Sequence, residues 1–145
     1  MKKKILHLEK QRYSEDALNN LQVSHKVTFN DFSCQEDFDY FLKRHQFDVI
    51  FTRLGLFLGE SQILTQENLK YIVTPTTGYN HIDVEFAQKH SIKIIGLKGE
   101  IDFLKEIKST AEHTWSLLLS LSKNLYSSIR SVKKTNLWDR NPFLA

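Results

Sequence analysis

The stretch with the clearest chemical content is TPTTGYNHID, residues 74 to 83: two threonines, a glycine, a histidine and an aspartate within ten positions. It follows the apolar run YIV and precedes the amphipathic VEFAQK, which places it at the end of a strand and the start of a helix. In an open α/β sheet ligands bind at the carboxyl ends of the strands. Gly78 has no side chain to screen its amide and is free to take a positive φ, so successive N–H groups around Thr77 and Gly78 suit an anion such as a carboxylate. A second reading also fits: Thr-Gly-Tyr-Asn as a tight turn, with Asp83 as a helix cap.

The other reactive side chains point to less. His81 sits where a general base can sit, but it has no partner nearby in sequence and lies at a helix start, where a positive charge is unfavourable. It is therefore not assigned a catalytic role, and His113 reads as a packed or surface imidazole. His7, His25, His45 and His90 lack metal-ligand spacing, and Cys34 is the sole cysteine, so no metal site is expected. Cys34 has no basic neighbour to activate it, and no serine stands in a G-x-S-x-G elbow. The glycines, at 55, 59, 78, 96 and 99, form no G-x-G-x-x-G or phosphate loop.

The elements that must hold this stretch are legible as a rhythm. KKILHL, HKVTF, FDVIFTRL, YIVTP and SIKIIGL read as five strands. Between them lie helical segments: SEDALNNL with Ser14 as cap, SCQEDFDYFLKRH with Ser33 and Glu36 in capping-box spacing, a short piece around 62–69, and one from Val84 capped by Asp83. Strands alternating with helices predict an α/β fold, a flavodoxin-like three-layer parallel sheet. GEIDFLKEIK then reads as a loop or irregular helix. STAEHTWSLLLSLSKNLYSSI reads as one long helix, with Ser109 and Glu112 again in capping-box spacing. Trp115, Leu118 and Leu125 share a stripe that Leu117, Leu121 and Tyr126 widen, an apolar arc broad enough for two partners. The tail from Ser131 shows no periodicity, and exposed Trp138 and Phe143 there would be unusual for a finished surface.

Composition narrows the function classes. The chain has 145 residues, 41% hydrophobic and 26% charged, with 20 basic and 17 acidic side chains spread along it for a net charge of +3. That balance gives nucleic acid no concentrated patch to bind, apart from the short basic clusters at Lys2–Lys4 and around Lys133. No apolar run is long enough to span a membrane or to serve as a signal peptide after MKKK, so the cytoplasm is the expected location.

Two segments resemble the D-isomer-specific 2-hydroxyacid dehydrogenases, the family that includes D-3-phosphoglycerate dehydrogenase: LKYIVTPTTGYNHIDVEFAQKHSIKIIG, residues 69 to 96, and LKGEIDFLKEIKSTAEHTWSLLLSLSKN, residues 97 to 124. The likeness continues into LWDRNPF, residues 137 to 143. It implies residues 1–105 as the N-terminal part of a substrate domain and residues 106–145 as an inter-domain helix and tail leading to a Rossmann cofactor domain. It further implies a hydride transfer between NAD and a 2-hydroxy or 2-keto acid. The amides of Thr77 and Gly78 would bind the substrate carboxylate, and Thr76 and Tyr79 would line the same turn.

The family's catalytic Arg, Glu and His fall in portions beyond these residues, as does its dinucleotide fingerprint. No catalytic or cofactor-binding residue is therefore assigned here, and the isolated chain is expected to be an inactive segment of a larger enzyme. A homo-oligomer, with self-association through the helix 110–125, is expected. The alternative is a non-catalytic α/β interaction module that uses that same apolar helix.

Overall fold

The computed structural model describes residues 2–136 and 138–143, so Leu137, Leu144 and Ala145 of the tail lie outside the described residues. Five strands, β1 (Lys4–His7), β2 (Lys26–Phe29), β3 (Val49–Phe51), β4 (Tyr71–Val73) and β5 (Lys93–Ile95), form one all-parallel sheet in the order β2-β1-β3-β4-β5. That is the flavodoxin-like order expected from the strand and helix rhythm. The crossovers carry α1 (Glu15–Ser24), α2 (Gln35–Leu42), α3 (Glu60–Ile63) and α4 (Val84–Lys89).

The register explains the core. Leu6, Ile50, Ile72 and Ile94 lie opposite one another across four strands. Alternation puts them on one face. Phe38, Phe41 and Leu42 of α2, Ile63 of α3, and Phe86 and Ala87 of α4 cover that row in a single cluster. The opposite layer is thinner. Ile5, Val49 and Leu18 of α1 are buried there, while Tyr71 and Ile95 towards the β5 edge stay 36% and 45% exposed. His7 is also on this face, stacked on Phe51 at 4.7 Å and edge-on to Tyr13 at 4.4 Å.

Local signals were obeyed unevenly. Ser14 and Asp83 cap α1 and α4 as expected, accepting from the amides of Ala17 and Phe86 at 3.3 and 2.9 Å. The two proposed capping boxes do not form: Cys34 and Lys108 occupy the cap positions, and neither makes a side-chain cap bond. Ser33 and Ser109 each miss the cap by one residue, so their hydroxyls are out of register with the amides they were to satisfy. The third helix begins at Glu60, because Gly59 donates its amide to Gln62 Oε1 at 3.0 Å and closes the first turn early.

Residues 1–99 and 100–145 form two compact units. In the second, α5 (Ile101–Lys105) precedes the stretch read as one long helix, which divides into α6 (Ser109–Ser122) and α7 (Leu125–Thr135). The break is at Asn124, in the left-handed region at φ 50°, ψ 33°. Asparagine tolerates that conformation better than most residues. α7 then runs on into the tail through Thr135, where the sequence shows no apolar period. Among the described residues no helix is long and apolar enough to cross a membrane.

Burial pushes the imidazoles of both His7 and His81 below their ordinary value of 6.5. The unfolded chain therefore takes up protons that the folded chain refuses, so this contribution to stability is whole above about pH 6.5 and is lost as pH falls through the lower folded values. Thermal melting should show a lower Tm at about pH 5.5 than at about pH 7.5. His7→Phe should make that fall shallower, and a melting temperature flat across the window would contradict the assignment.

Candidate functional site

The carboxyl end of β4 is built by its neighbours. Past the last strand residue the ladder continues, with Thr52 donating to the Val73 carbonyl at 2.8 Å and Thr74 to the Ile95 carbonyl at 2.9 Å. The chain then turns at Pro75, and Leu97 donates to the Thr76 carbonyl at 3.1 Å. On the other side Leu58 is clamped between His81 and Asp83, donating to one carbonyl and accepting from the other amide, both at 3.0 Å. The loop from Thr76 to Asn80 is thus held at both ends by backbone.

Within it the amides of Thr76, Thr77, Gly78, Tyr79, Asn80 and His81 have no protein partner among the described residues, and Thr77 and Gly78 are exposed. Such a run of donors, at a strand tip and ahead of a helix, is suited to an anion. Gly78 does not take the positive φ open to it; among the described glycines only Gly55 and Gly99 do. A Cβ at Gly78 would meet nothing nearer than Asn80 Oδ1 at 3.9 Å. The backbone therefore does not require glycine here, and its small size matters only to what approaches from outside.

The four residues singled out from the sequence have different surroundings. The Thr76 hydroxyl donates to the Gly78 carbonyl at 2.7 Å. Thr77 is exposed. Tyr79 lies across Gly96 at the end of β5, where an added Cβ would come within 2.8 Å of its ring, and Lys98 Nζ stands 5.6 Å from the ring centre. His81, solitary by sequence, has a partner after all: its Nε2 is 3.0 Å from Thr74 Oγ1, seven residues upstream and brought close by the loop.

Thr76 also opens onto a 550 Å³ cleft at the carboxyl ends of β1, β3 and β4, lined by Glu9, Tyr13, Arg53, Leu54 and Pro75. None of those lining residues was singled out from the sequence as a ligand contact. Their common signal is position, just beyond the strand ends. The Arg53 guanidinium is held there by Asp31 Oδ1 at 2.7 Å and by the carbonyls of Phe32 at 2.6 Å and Leu54 at 2.8 Å. Burial, with help from the Glu9 charge, raises the Tyr13 phenol above its ordinary value, so it remains a protonated donor. Among the described residues no cluster of three or more His, Cys, Asp or Glu side chains could hold a metal.

A flavodoxin-like sheet that ends its fourth strand in a braced loop of free amides defines an α/β domain suited to a small anionic ligand. The chain belongs to the D-isomer specific 2-hydroxyacid dehydrogenase family, whose catalytic-domain model matches residues 5–123. It is 27% identical to D-3-phosphoglycerate dehydrogenase of Bacillus subtilis (strain 168) over 100 residues, which are 69% of this chain and 18% of that protein. The chain thus spans less than a fifth of the length of that relative. Among solved structures it resembles the D-lactate dehydrogenase of Aquifex aeolicus complexed with NAD and lactic acid (TM-score 0.72, 22% identity, 97% of this chain and 40% of that one). It also resembles an acyclic imino acid reductase in complex with NADPH and D-Arg (TM-score 0.74, 20% identity, 98% and 44%). Both likenesses concern the fold.

The two glycines near the site should respond oppositely to a methyl group. Gly96→Ala drives a Cβ into the Tyr79 ring and to 3.0 Å from the Thr74 methyl, and should cost about 1–3 kcal/mol by overpacking. Gly78→Ala should leave chemical-denaturation stability nearly unchanged. Equal losses in both variants would show that the loop needs glycine at position 78 for its own conformation.

Proposed function

We propose that this chain is the substrate side of an enzyme that transfers a hydride between a nicotinamide dinucleotide, NAD, and a 2-hydroxy or 2-keto acid. The observation that carries this reading is the run of unpartnered amides from Thr76 to His81, beside the cleft at the carboxyl ends of β1, β3 and β4. The amides of Thr77 and Gly78 bind the substrate carboxylate, and Thr76 and Tyr79 shape the turn around it. Fixed backbone donors hold a carboxylate without a titratable group and without reorganisation when the reaction occurs. The rest of the acid extends into the cleft between Tyr13, Arg53 and Pro75.

The residues here do not fit the cofactor. β1 is followed by Leu8, Glu9 and Lys10, with Glu9 in the left-handed region and no glycine, so no backbone cradle for a pyrophosphate forms at that tip. The nicotinamide is accordingly assigned to no residue of this chain. Its own task is to bind and orient the acid, in the cytoplasm. The Gly78 position sharpens this assignment, because space for a side chain exists inside the loop and only a ligand outside it would be displaced.

Titrating the 145-residue chain with pyruvate or oxamate should move the amide resonances of Thr77, Gly78 and Tyr79. Gly78→Val should reduce the response, and NADH with a panel of 2-keto acids should give no turnover by this chain alone. Carboxylate-dependent shifts centred elsewhere, or turnover without a second domain, would overturn the assignment.

The second unit supports an oligomer. Trp115, Leu118 and Leu121 of α6 and Leu125 of α7 are exposed by 62%, 53%, 78% and 47%. Apolar surface presented on this scale favours association. The same exposure would serve a non-catalytic interaction module. We expect self-association through the segment 110–125, seen as a concentration-dependent sedimentation coefficient that Leu121→Glu abolishes. A monomer at every concentration would exclude it.

A further inference from the structure

Three short contacts in the loop share too few protons to be arranged in more than one way. Thr76 Oγ1 is 2.7 Å from the Gly78 carbonyl oxygen, which can only accept, so the Thr76 hydroxyl proton is committed there. Thr74 Oγ1 lies 2.8 Å from Thr76 Oγ1, and since Thr76 has no second proton, Thr74 must be the donor. His81 Nε2 lies 3.0 Å from Thr74 Oγ1, whose proton is now spent, so the imidazole donates and carries its hydrogen on Nε2. The other tautomer would leave two protons for three contacts. It would also place an N–H at Nδ1, which is buried and has no hydrogen-bond partner.

The chain of donors therefore runs one way, from His81 through Thr74 and Thr76 to the carbonyl of Gly78. Its far end matters because of what glycine allows. A flip of the Gly78–Tyr79 peptide turns ψ of Gly78, which glycine leaves free, together with φ of Tyr79. In a trans peptide the carbonyl and the following amide point in opposite directions. With the Gly78 carbonyl accepting from the Thr76 hydroxyl, the Tyr79 amide points away from that hydroxyl. After a flip, the carbonyl oxygen would face the bound anion and repel it. His81 is 7% exposed and Thr74 is 2% exposed, so the head of the chain is shielded from water that could break it.

We propose that His81 is a positioning residue: its Nε2–H heads a one-directional hydrogen-bond chain through Thr74 and Thr76 that locks the Gly78–Tyr79 peptide with its carbonyl turned away from the bound carboxylate. This rests on the carboxylate reading of the loop. It differs from a general-base role, since the proton on Nε2 is never transferred and the imidazole touches no substrate atom.

The test uses the 145-residue chain and two independent measurements. Long-range proton–nitrogen NMR at neutral pH should show His81 protonated on Nε2 and bare on Nδ1. Oxamate affinity, read from the amides of Thr77 to Tyr79, should fall about tenfold in Thr76→Val and in His81→Leu, the size of one lost hydrogen bond. It should be restored in Thr76→Ser and in His81→Gln, whose side-chain amide supplies a donor again. Thermal melts of all four variants separate this from general loss of structure: Thr76→Val takes the acceptor from the buried Thr74 hydroxyl, so its Tm should fall by only a few degrees, leaving it folded at the temperature of the titration. His81 protonated on Nδ1, or Thr76→Val binding oxamate as tightly as the parent, overturns the lock while leaving the carboxylate site intact. No oxamate response in the parent overturns the carboxylate reading instead, and with it the lock.

Discussion

A parallel strand that ends must leave its last amides and carbonyls somewhere, and the end of β4 shows where this chain puts them. Several carbonyls are satisfied by protein: Val73 by Thr52, Thr76 by Leu97, Gly78 by the Thr76 hydroxyl, and Tyr79 by Ile82 at 2.9 Å. The amides from Thr76 to His81 are left to solvent or ligand. With more amides than carbonyls left unpaired, the loop has a net donor character without any charged side chain. Everything around it serves to keep that sorting in place.

The sheet face beneath changes chemistry where the loop begins. Along β1, β3 and β4 the inward row is aliphatic at Leu6, Ile50 and Ile72, packed to less than 1% exposure. Two residues further the row reads Leu8, Thr52 and Thr74, and β5 is followed by Gly96, where Tyr79 takes the space a side chain would fill. Core packing and loop positioning are therefore continuous. The aliphatic row sets the strand register, and the register places the hydroxyls that orient the loop. Thr74 is satisfied at this depth by His81 and Thr76, whereas the buried Thr52 hydroxyl has no hydrogen-bond partner among the described residues.

The second unit follows a different logic. Its helices carry leucine and tryptophan around much of their circumference, and among the described residues none of α5, α6 or α7 has a buried side chain. A helix with this pattern draws its stability from packing that lies outside itself. The left-handed Asn124 gives the segment a fixed bend between its two halves.

The five strands, the caps at Ser14 and Asp83 and the place of the loop after β4 were all legible in the sequence, since each depends on apolar spacing or on a residue type within a few positions. The sequence also placed Thr76, Thr77, Gly78 and Tyr79 together at a strand tip, which local order alone guarantees. The rest was decided by contacts between residues distant in the chain or by backbone angles that no residue type dictates. Glycine permits a positive φ at position 78 but does not impose one, and the anchors at Thr76 and Leu58 selected otherwise. Asparagine at 124 was compatible with a continuing helix, yet the fold breaks there. Arg53 and Tyr13 became cleft walls only when β1, β3 and β4 aligned. His81 looked solitary because hydrogen bonds are made in space, and its partner Thr74 came within reach only when the loop folded back on the strand that feeds it.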